Sequence, residues 1–400
     1  MTLTMTNYKK QQLRAFIMEF VREFRWGAFF ATVVLSLIGF FFVYSATYRT
    51  GSEVNVIPAM VKQQIFWFVA GLICYLVVSV TDYEWVCQKT WVLYGIIFVM
   101  LVYVALAAIL AKKGMHLPLT KSMYGATRWL KLGDFQFQPA EVAKLACLLA
   151  VSYFLYRSKR IIRTWQALII TGIISGAPGL LIVMQPDLGT AMVLVPTTFA
   201  VLFIAGASVH NMLLIVLLAA NVAVYGYLVP GLHLLKPHQR DRIDVFLHPD
   251  KDPLGDGWNL SQSRIAVGSG RTWGKGYLKG DVKGLGYLPR TVAHNDFIFA
   301  VYAEETGYVG GMILLGLYTI IIVSGIRVAF FARDELGRLL ALGVTTLIFF
   351  HVFVNIGMTM GIMPITGVPL PLVSYGGTFM LVIMVSLGIV QSVWLHRKPY

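Results

Sequence analysis

The sequence predicts an all-α polytopic membrane protein of about ten transmembrane helices, with both termini cytoplasmic and one long extracytoplasmic loop between helices 7 and 8. Three observations carry this. Of 400 residues, 57% are hydrophobic and only 13% are charged, where an ordinary soluble domain carries roughly 25% charged residues. Apolar runs repeatedly reach the roughly 20 residues a helix needs to cross hydrocarbon. Lys and Arg concentrate in alternate connections, which sets an orientation by the positive-inside bias.

Residues 1–26 carry charges as far as Arg25 and run into a long apolar stretch without a small-residue cleavage pattern. They read as a cytoplasmic tail and not as a cleaved signal. Apolar segments follow near 27–48, 63–82, 90–111, 140–156, 166–185, 188–207, 211–231, 296–326, 339–361 and 377–395. Residues 27–395 form one transmembrane domain, and 396–400 a second cytoplasmic tail. An even number of spans puts both ends on one side. With the N-terminus inside, the cytoplasmic segments hold Lys9, Lys10, Arg14, the Arg157–Arg163 cluster, Arg333, Arg338, Arg397 and Lys398, among others. The third-to-fourth connection, with Lys112, Lys113, Lys121, Arg128 and Lys131, goes the other way and is outvoted.

The stretch from about 231 to 295 mixes polar, Gly and Pro residues and cannot face lipid. Its aromatics and the apolar patch Ile265–Val267 predict a folded loop against the membrane surface. The net charge of +14 fits orientation and anionic headgroups rather than nucleic acid. Cys74, Cys87 and Cys147 lie far apart without zinc-ligand spacing. No cofactor is evident.

Polar residues near a bilayer are costly and mark function. Four polar stretches fall on the predicted external side: "GATRWLKLGDFQFQPAEVAK" opening the fourth span, "QPDLGTA" between the fifth and sixth, the loop ending "AHNDFIF" before the eighth, and "MPITGVPLPLVSYGG" between the ninth and tenth. Glu141 and Lys144 are three residues apart, so a helix puts them on one face, either as a packing ion pair or lining a polar cavity. Asp187 stands where an N-cap belongs. Asp296 is either a cap or a chemical group. On an unbroken helix Glu304 falls about 80° from it and Glu305 about 180°, so Asp296 and Glu304 are expected to face one cavity. "GSGRTWGKG" lacks the spacing of a phosphate loop, but its backbone N–H groups beside Arg271 and Lys275 offer an anion contact.

Together these motifs resemble the SEDS family (shape, elongation, division and sporulation), most closely its RodA branch, over nearly the whole chain. The resemblance rests on "GATRWLKLGDFQFQPAEVAKLA", "QPDLGTA", "QRDRIDVFLHPDKDPLGDGWNLSQSRIAVGSG", "HNDFIFAVYAEETGYVGG" and "NIGMTMGIMPITGVPLPLVSYGG". It implies a peptidoglycan glycosyltransferase that polymerises lipid II at the outer face of the cytoplasmic membrane during elongation, working with a class B penicillin-binding protein. Asp296 then matches the family's essential carboxylate, a general base, and Glu141 with Lys144 its required ion pair. Candidates for meeting the substrate head and its pyrophosphate are Arg128, Arg240, Arg242, Lys144, Lys275, Glu304 and Ser374, with a divalent cation, Mg or Mn, as an alternative source of charge. The family usually has "GSGG" where Gly268, Ser269, Gly270 and Arg271 stand, and differs at Val282, Lys283 and Arg290 too. Competing readings are a lipid-precursor flippase, the division-specific FtsW branch, and a scaffold for partner proteins.

Overall fold

A computed structural model describes residues 18, 21–48, 58–115, 117–123, 126–133, 135–229, 237–252, 255–281, 288–289 and 293–398. Val282, Lys283 and Arg290 lie outside them. Ten of its helices are long and apolar enough to cross a membrane: α1 (Trp26–Thr47), α2 (Ala59–Val80), α4 (Thr90–Ala111), α5 (Pro139–Arg157), α6 (Trp165–Met184), α7 (Leu188–Ala205), α8 (Val209–Leu228), α11 (Ile298–Phe330), α12 (Glu335–Thr359) and α13 (Gly377–Leu395). Among the described residues, shorter polar-flanked helices include α3 (Tyr83–Gln88), α9 (Pro237–Leu247) and α10 (Asp256–Ser269). Every span expected from hydropathy is present, within a few residues.

α5, α12 and α13 are buried along most of their length and form the centre, with α7 and α11 against α12 and α2 against α13. At the periphery, α8 buries only Met212 and Gly226 and turns leucines and valines outward on nearly every side. An apolar helix exposed all round is suited to lipid and not to water.

Two features of the connections were not expected from the sequence. Residues 120–137 form a three-stranded antiparallel sheet, β1 (Thr120–Met123), β2 (Ala126–Leu132) and β3 (Phe135–Phe137), in the order β1-β2-β3. In addition, α11 breaks at Gly307, whose φ of 67° and ψ of −164° are non-helical.

The long connection fills that break. Lys275 N donates to Glu304 O (3.0 Å) and Gly276 N to Glu305 O (3.0 Å), while Tyr308 N donates to Arg271 O (2.8 Å) and Val309 N to Thr272 O (3.1 Å). The backbone groups freed by the kink are therefore satisfied by residues 271–276, as a low-dielectric setting requires. A Cβ on Gly307 would stand 2.3 Å from Gly274 N, and one on Gly274 2.2 Å from Glu305 O. We expect Gly307→Ala to cost at least about 1–3 kcal/mol, the range for a glycine-only conformation, read as a lower thermal midpoint in detergent. Arg271 itself has φ 49°. That left-handed geometry explains the glycine that the resemblance leads one to expect here, and Arg271→Gly should raise stability by about 1 kcal/mol.

Four connections meet at one end of the bundle: the sheet before α5, the α6–α7 turn, the α8–α11 connection and the α12–α13 segment. Arg128, Gln138, Asp187, Arg242, Asn295, Thr366 and Ser374 contact one another across them. The opposite end gathers both ends of the described chain: Glu23 pairs with Arg397 and with Lys398 (3.0 Å). Arg333–Glu84 (3.2 Å) and Lys159–Glu335 (2.9 Å) tie the intervening turns there.

Candidate active site

Asp296 stands in a turn just before α11, whose first residue is Ile298. No side chain caps α11, and among the described residues the Asp296 carboxylate makes no hydrogen bond or ion pair. That removes the capping explanation. The turn is held by its backbone. Asn355 Nδ2 donates to Asp296 O and to Val368 O (2.8 Å each), Ser374 Oγ donates to Asn295 O (2.6 Å), and Tyr375 N donates to His294 O (3.0 Å). The carboxylate is half-buried, with Oδ2 3.4 Å from where a Cβ on Gly367 would lie. Burial first, then the Asp187 carboxylate, push its pKa up to about 6, against the opposing pull of Arg128 and Arg242.

Asp187 caps α7, accepting from Thr190 N at 3.2 Å. Its other oxygen accepts from Gln138 Nε2 (3.0 Å), with Arg128 Nη1 at 4.0 Å. Arg128 reaches from β2 to donate to Gln185 O (3.1 Å) and to Pro186 O. Arg242, on α9, donates to Thr366 O at 3.4 Å. Arg240 is two residues away and points to α8, donating to Tyr227 O at 2.6 Å with its guanidinium 5.5 Å from the Tyr227 ring. Of the two, Arg242 is the one beside Asp296.

Two expected neighbours of Asp296, Glu304 and Lys275, are elsewhere. Glu304 accepts from Lys275 Nζ (2.7 Å) and from Asp281 N (2.8 Å), so it closes the α11 break instead of facing Asp296. The helical-wheel expectation fails because helix geometry starts only at Ile298, after Asp296. Lys275 is bound by both Glu304 and Asp281 (3.0 Å), and the backbone N–H groups of Lys275 and Gly276 are spent on α11 carbonyls. The expected anion contact at "GSGRTWGKG" is therefore already occupied from within. Ser374, buried, accepts from Leu370 N (2.8 Å) as well as donating to Asn295 O, and shapes the turn.

Lys144 Nζ lies 2.8 Å from Glu141 Oε2, and both side chains are nearly inaccessible, at 1% and 4%. The ammonium also lies 3.0 Å from His351 Nε2, and His351 Nδ1 lies 3.3 Å from Pro369 O. An ammonium has only protons to give, so Nε2 is the acceptor and Nδ1 carries the ring proton to Pro369. The pair joins α5, α12 and the α12–α13 segment that shapes the Asp296 turn. Both side chains are nearly inaccessible where these elements meet.

His351 and Asn355 were not picked out from the sequence. The signal was there: a His and an Asn at i and i+4 in an apolar span, followed at i+8 by Thr359, whose carbonyl accepts from Ser263 Oγ at 2.8 Å. Among the described residues no group of three His, Cys, Asp or Glu gathers closely enough to hold a metal ion, so these side chains do not make a metal centre by themselves.

A bundle of ten helices long and apolar enough to span, with the Asp296 carboxylate and two arginines where its polar connections converge, defines a multi-pass membrane protein with a candidate site at one end. Residues 26–399 match the family model for FtsW, RodA and SpoVE, described as cell cycle protein, and the chain belongs to that family. It is 44% identical over 278 residues to peptidoglycan glycosyltransferase MrdB of Escherichia coli K12, covering 68% of this chain and 72% of that one. Similarity to peptidoglycan glycosyltransferase RodA of Treponema pallidum is 32% over 93% of this chain and 98% of that one. Among solved structures, a chain from a study of structural coordination of polymerization and crosslinking by a peptidoglycan synthase complex matches with TM-score 0.75 and 29% identity, over 94% of this chain and 98% of that one. The rod shape determining protein RodA of Thermus thermophilus matches with TM-score 0.64 and 25% identity, over 94% and 98%.

Proposed function

We infer that the protein is a peptidoglycan glycosyltransferase that polymerises lipid II at the outer face of the cytoplasmic membrane, with its termini inside and a class B penicillin-binding protein as partner. The observation that carries the mechanism is the Asp296 carboxylate, free of protein partners among the described residues and flanked by Arg128 and Arg242. At neutral pH a group with a pKa of about 6 is mostly ionised yet basic enough to accept a proton, the compromise that suits a general base.

In this reading Asp296 takes the proton from the acceptor sugar hydroxyl as that oxygen attacks the donor anomeric carbon. The bond from that carbon to the pyrophosphate oxygen breaks, and the lipid pyrophosphate leaves with the electron pair. Arg242 and Arg128 meet the negative charge that grows on it. The outward apolar faces of α8 give lipid tails a place beside the site without an enclosed pocket. Elongation fits the RodA and MrdB similarities, with the division branch as the alternative.

Activity is tested by giving purified protein, with its cognate transpeptidase, lipid II in detergent. Glycan polymer supports the reading; substrate consumed by no condition, with translocation in vesicles instead, supports a flippase. Transporters do use broken helices, but backbone groups on both sides of the α11 break are paired with residues 271–276. Arg242→Gln should lower kcat/KM about tenfold, the loss of one charge-assisted hydrogen bond. Arg240→Gln, two residues away, should change it little.

A further inference from the structure

A cavity of about 500 Å³ lies at the other end of the bundle, between the start of α1 and the last turns of α11. Its wall holds Arg25, Arg327, Ser324 and Thr319 beside Trp26, Ile320 and Val323. Among the described lining residues there is no carboxylate. Arg25 Nε donates to Ser324 Oγ at 3.3 Å, and its guanidinium lies 4.3 Å from the Trp394 ring, which Arg397 covers at 3.7 Å. Among the described residues the Arg327 side chain makes no hydrogen bond or ion pair. Among the described residues the nearby carboxylate, Glu23, is committed to Arg397 and Lys398. Burial first, then the charges of Arg327 and Arg397, pull the Arg25 pKa below the usual guanidinium value.

Among the described residues, two further groups at this place are donors without acceptors. The first turn of α1 has no side-chain cap, and the N–H groups of Gly27 and Ala28, on the cavity wall, have no partner within the helix. A narrow recess shares Arg25, Ala28 and Ser324 with the cavity and reaches Gln391. The Gln391 side chain is 3% exposed, and its Nε2 is buried with no hydrogen-bond partner. Arginines, helix-start amides and a buried amide nitrogen together make a donor-rich hollow at the level where the spans end.

We propose that this hollow binds the phosphate headgroup of an anionic phospholipid from the leaflet on the side of the termini. Charge complementarity selects the phosphate, since the described lining residues offer donors and no carboxylate. The rim selects a lipid over a free anion. Trp26, Ile320 and Val323 line the cavity and are exposed on the outside of the bundle, so acyl chains entering with the headgroup would run along α1 and α11. Basic pockets between spans are a recurring place for such headgroups.

The test uses the full chain in a neutral detergent, titrated with phosphatidylglycerol, phosphatidylcholine or inorganic phosphate while the thermal midpoint is followed. Phosphatidylglycerol should raise the midpoint with saturation, and the other two should not at matched ionic strength. Arg327→Gln, at an exposed position that leaves the fold alone, should weaken the response about fivefold, and Arg25→Gln with Arg327→Gln about 25-fold, at roughly fivefold for each basic residue near a headgroup. Lys159→Gln, a basic residue of the same end outside the cavity, should leave the response as in the parent. An equal shift with phosphatidylcholine, a shift with inorganic phosphate alone, or an unchanged response in Arg327→Gln would each overturn the proposal. Should the double variant fail to fold, Arg327→Gln against Lys159→Gln still decides it.

Discussion

Replacing Asp296 by Asn should reduce glycan polymerisation from lipid II by about 10²–10⁴-fold, the contribution of a positioned general base. Expression and thermal midpoint should not fall. The sign of the second expectation comes from the pKa. Asp296 is raised from 3.8 to about 6 in the fold, so folding disfavours its charged form. That penalty is absent below the unfolded pKa, grows as pH rises between the two values, and is complete above the folded one. At neutral pH, Asn removes the charge and keeps the shape, and stability stays level or rises. The backbone contacts from Asn355, Ser374 and Tyr375 to residues 294–296 do not involve the carboxylate, so the turn survives. A variant that is stable, folded and nearly inactive separates chemistry from architecture. Normal rate and polymer length in Asp296→Asn would remove the carboxylate from the reaction.

The second large effect is expected at Lys144. Lys144→Ala leaves Glu141 buried without its cation and His351 Nε2 without a donor. Breaking a buried pair on one side costs about 3–5 kcal/mol, whereas replacing both partners by neutral groups of similar volume is often close to neutral. Lys144→Ala should thus lose yield, stability and activity together. Glu141→Gln with Lys144→Met should regain most of the stability. Restored activity in that double variant would assign the pair to positioning the α12–α13 segment under Asp296. Restored stability without activity would assign it a direct electrostatic share in the reaction. Thermal unfolding and polymerisation, measured on the same preparations, distinguish these.

The spans were legible because hydrophobic length is a property of contiguous sequence. α1, α4 and α13 each fill a window of apolar residues, and their limits follow. The crowding of polar motifs at one end was legible for the same reason, since it needs only span count. What was not legible depends on backbone breaks and on contacts between distant segments. Glu304 and Asp296 share a stretch of sequence but not a helix, because the turn at 293–297 precedes α11, and the pairing of Glu304 with Lys275 crosses 29 positions. The kink at Gly307 is one glycine among several in "TGYVGG", and only its contact with Gly274 distinguishes it. His351 and Asn355 were readable as polar residues within a span. That they support Lys144 and the Asp296 turn required α5, α11 and α12 to be placed together.

The measurement closest to the central claim is the pH dependence of single-turnover polymerisation by the complex with its transpeptidase, from pH 5 to 8, in parallel for the parent and Asp296→Asn. If Asp296 must be ionised to accept the hydroxyl proton, the parent rate falls about tenfold per pH unit below an inflection near the value of about 6 given by its surroundings. Above the inflection it levels off, and the Asn variant is slow and lacks the inflection. A parent profile flat across that range, or the same inflection in Asp296→Asn, would contradict the account.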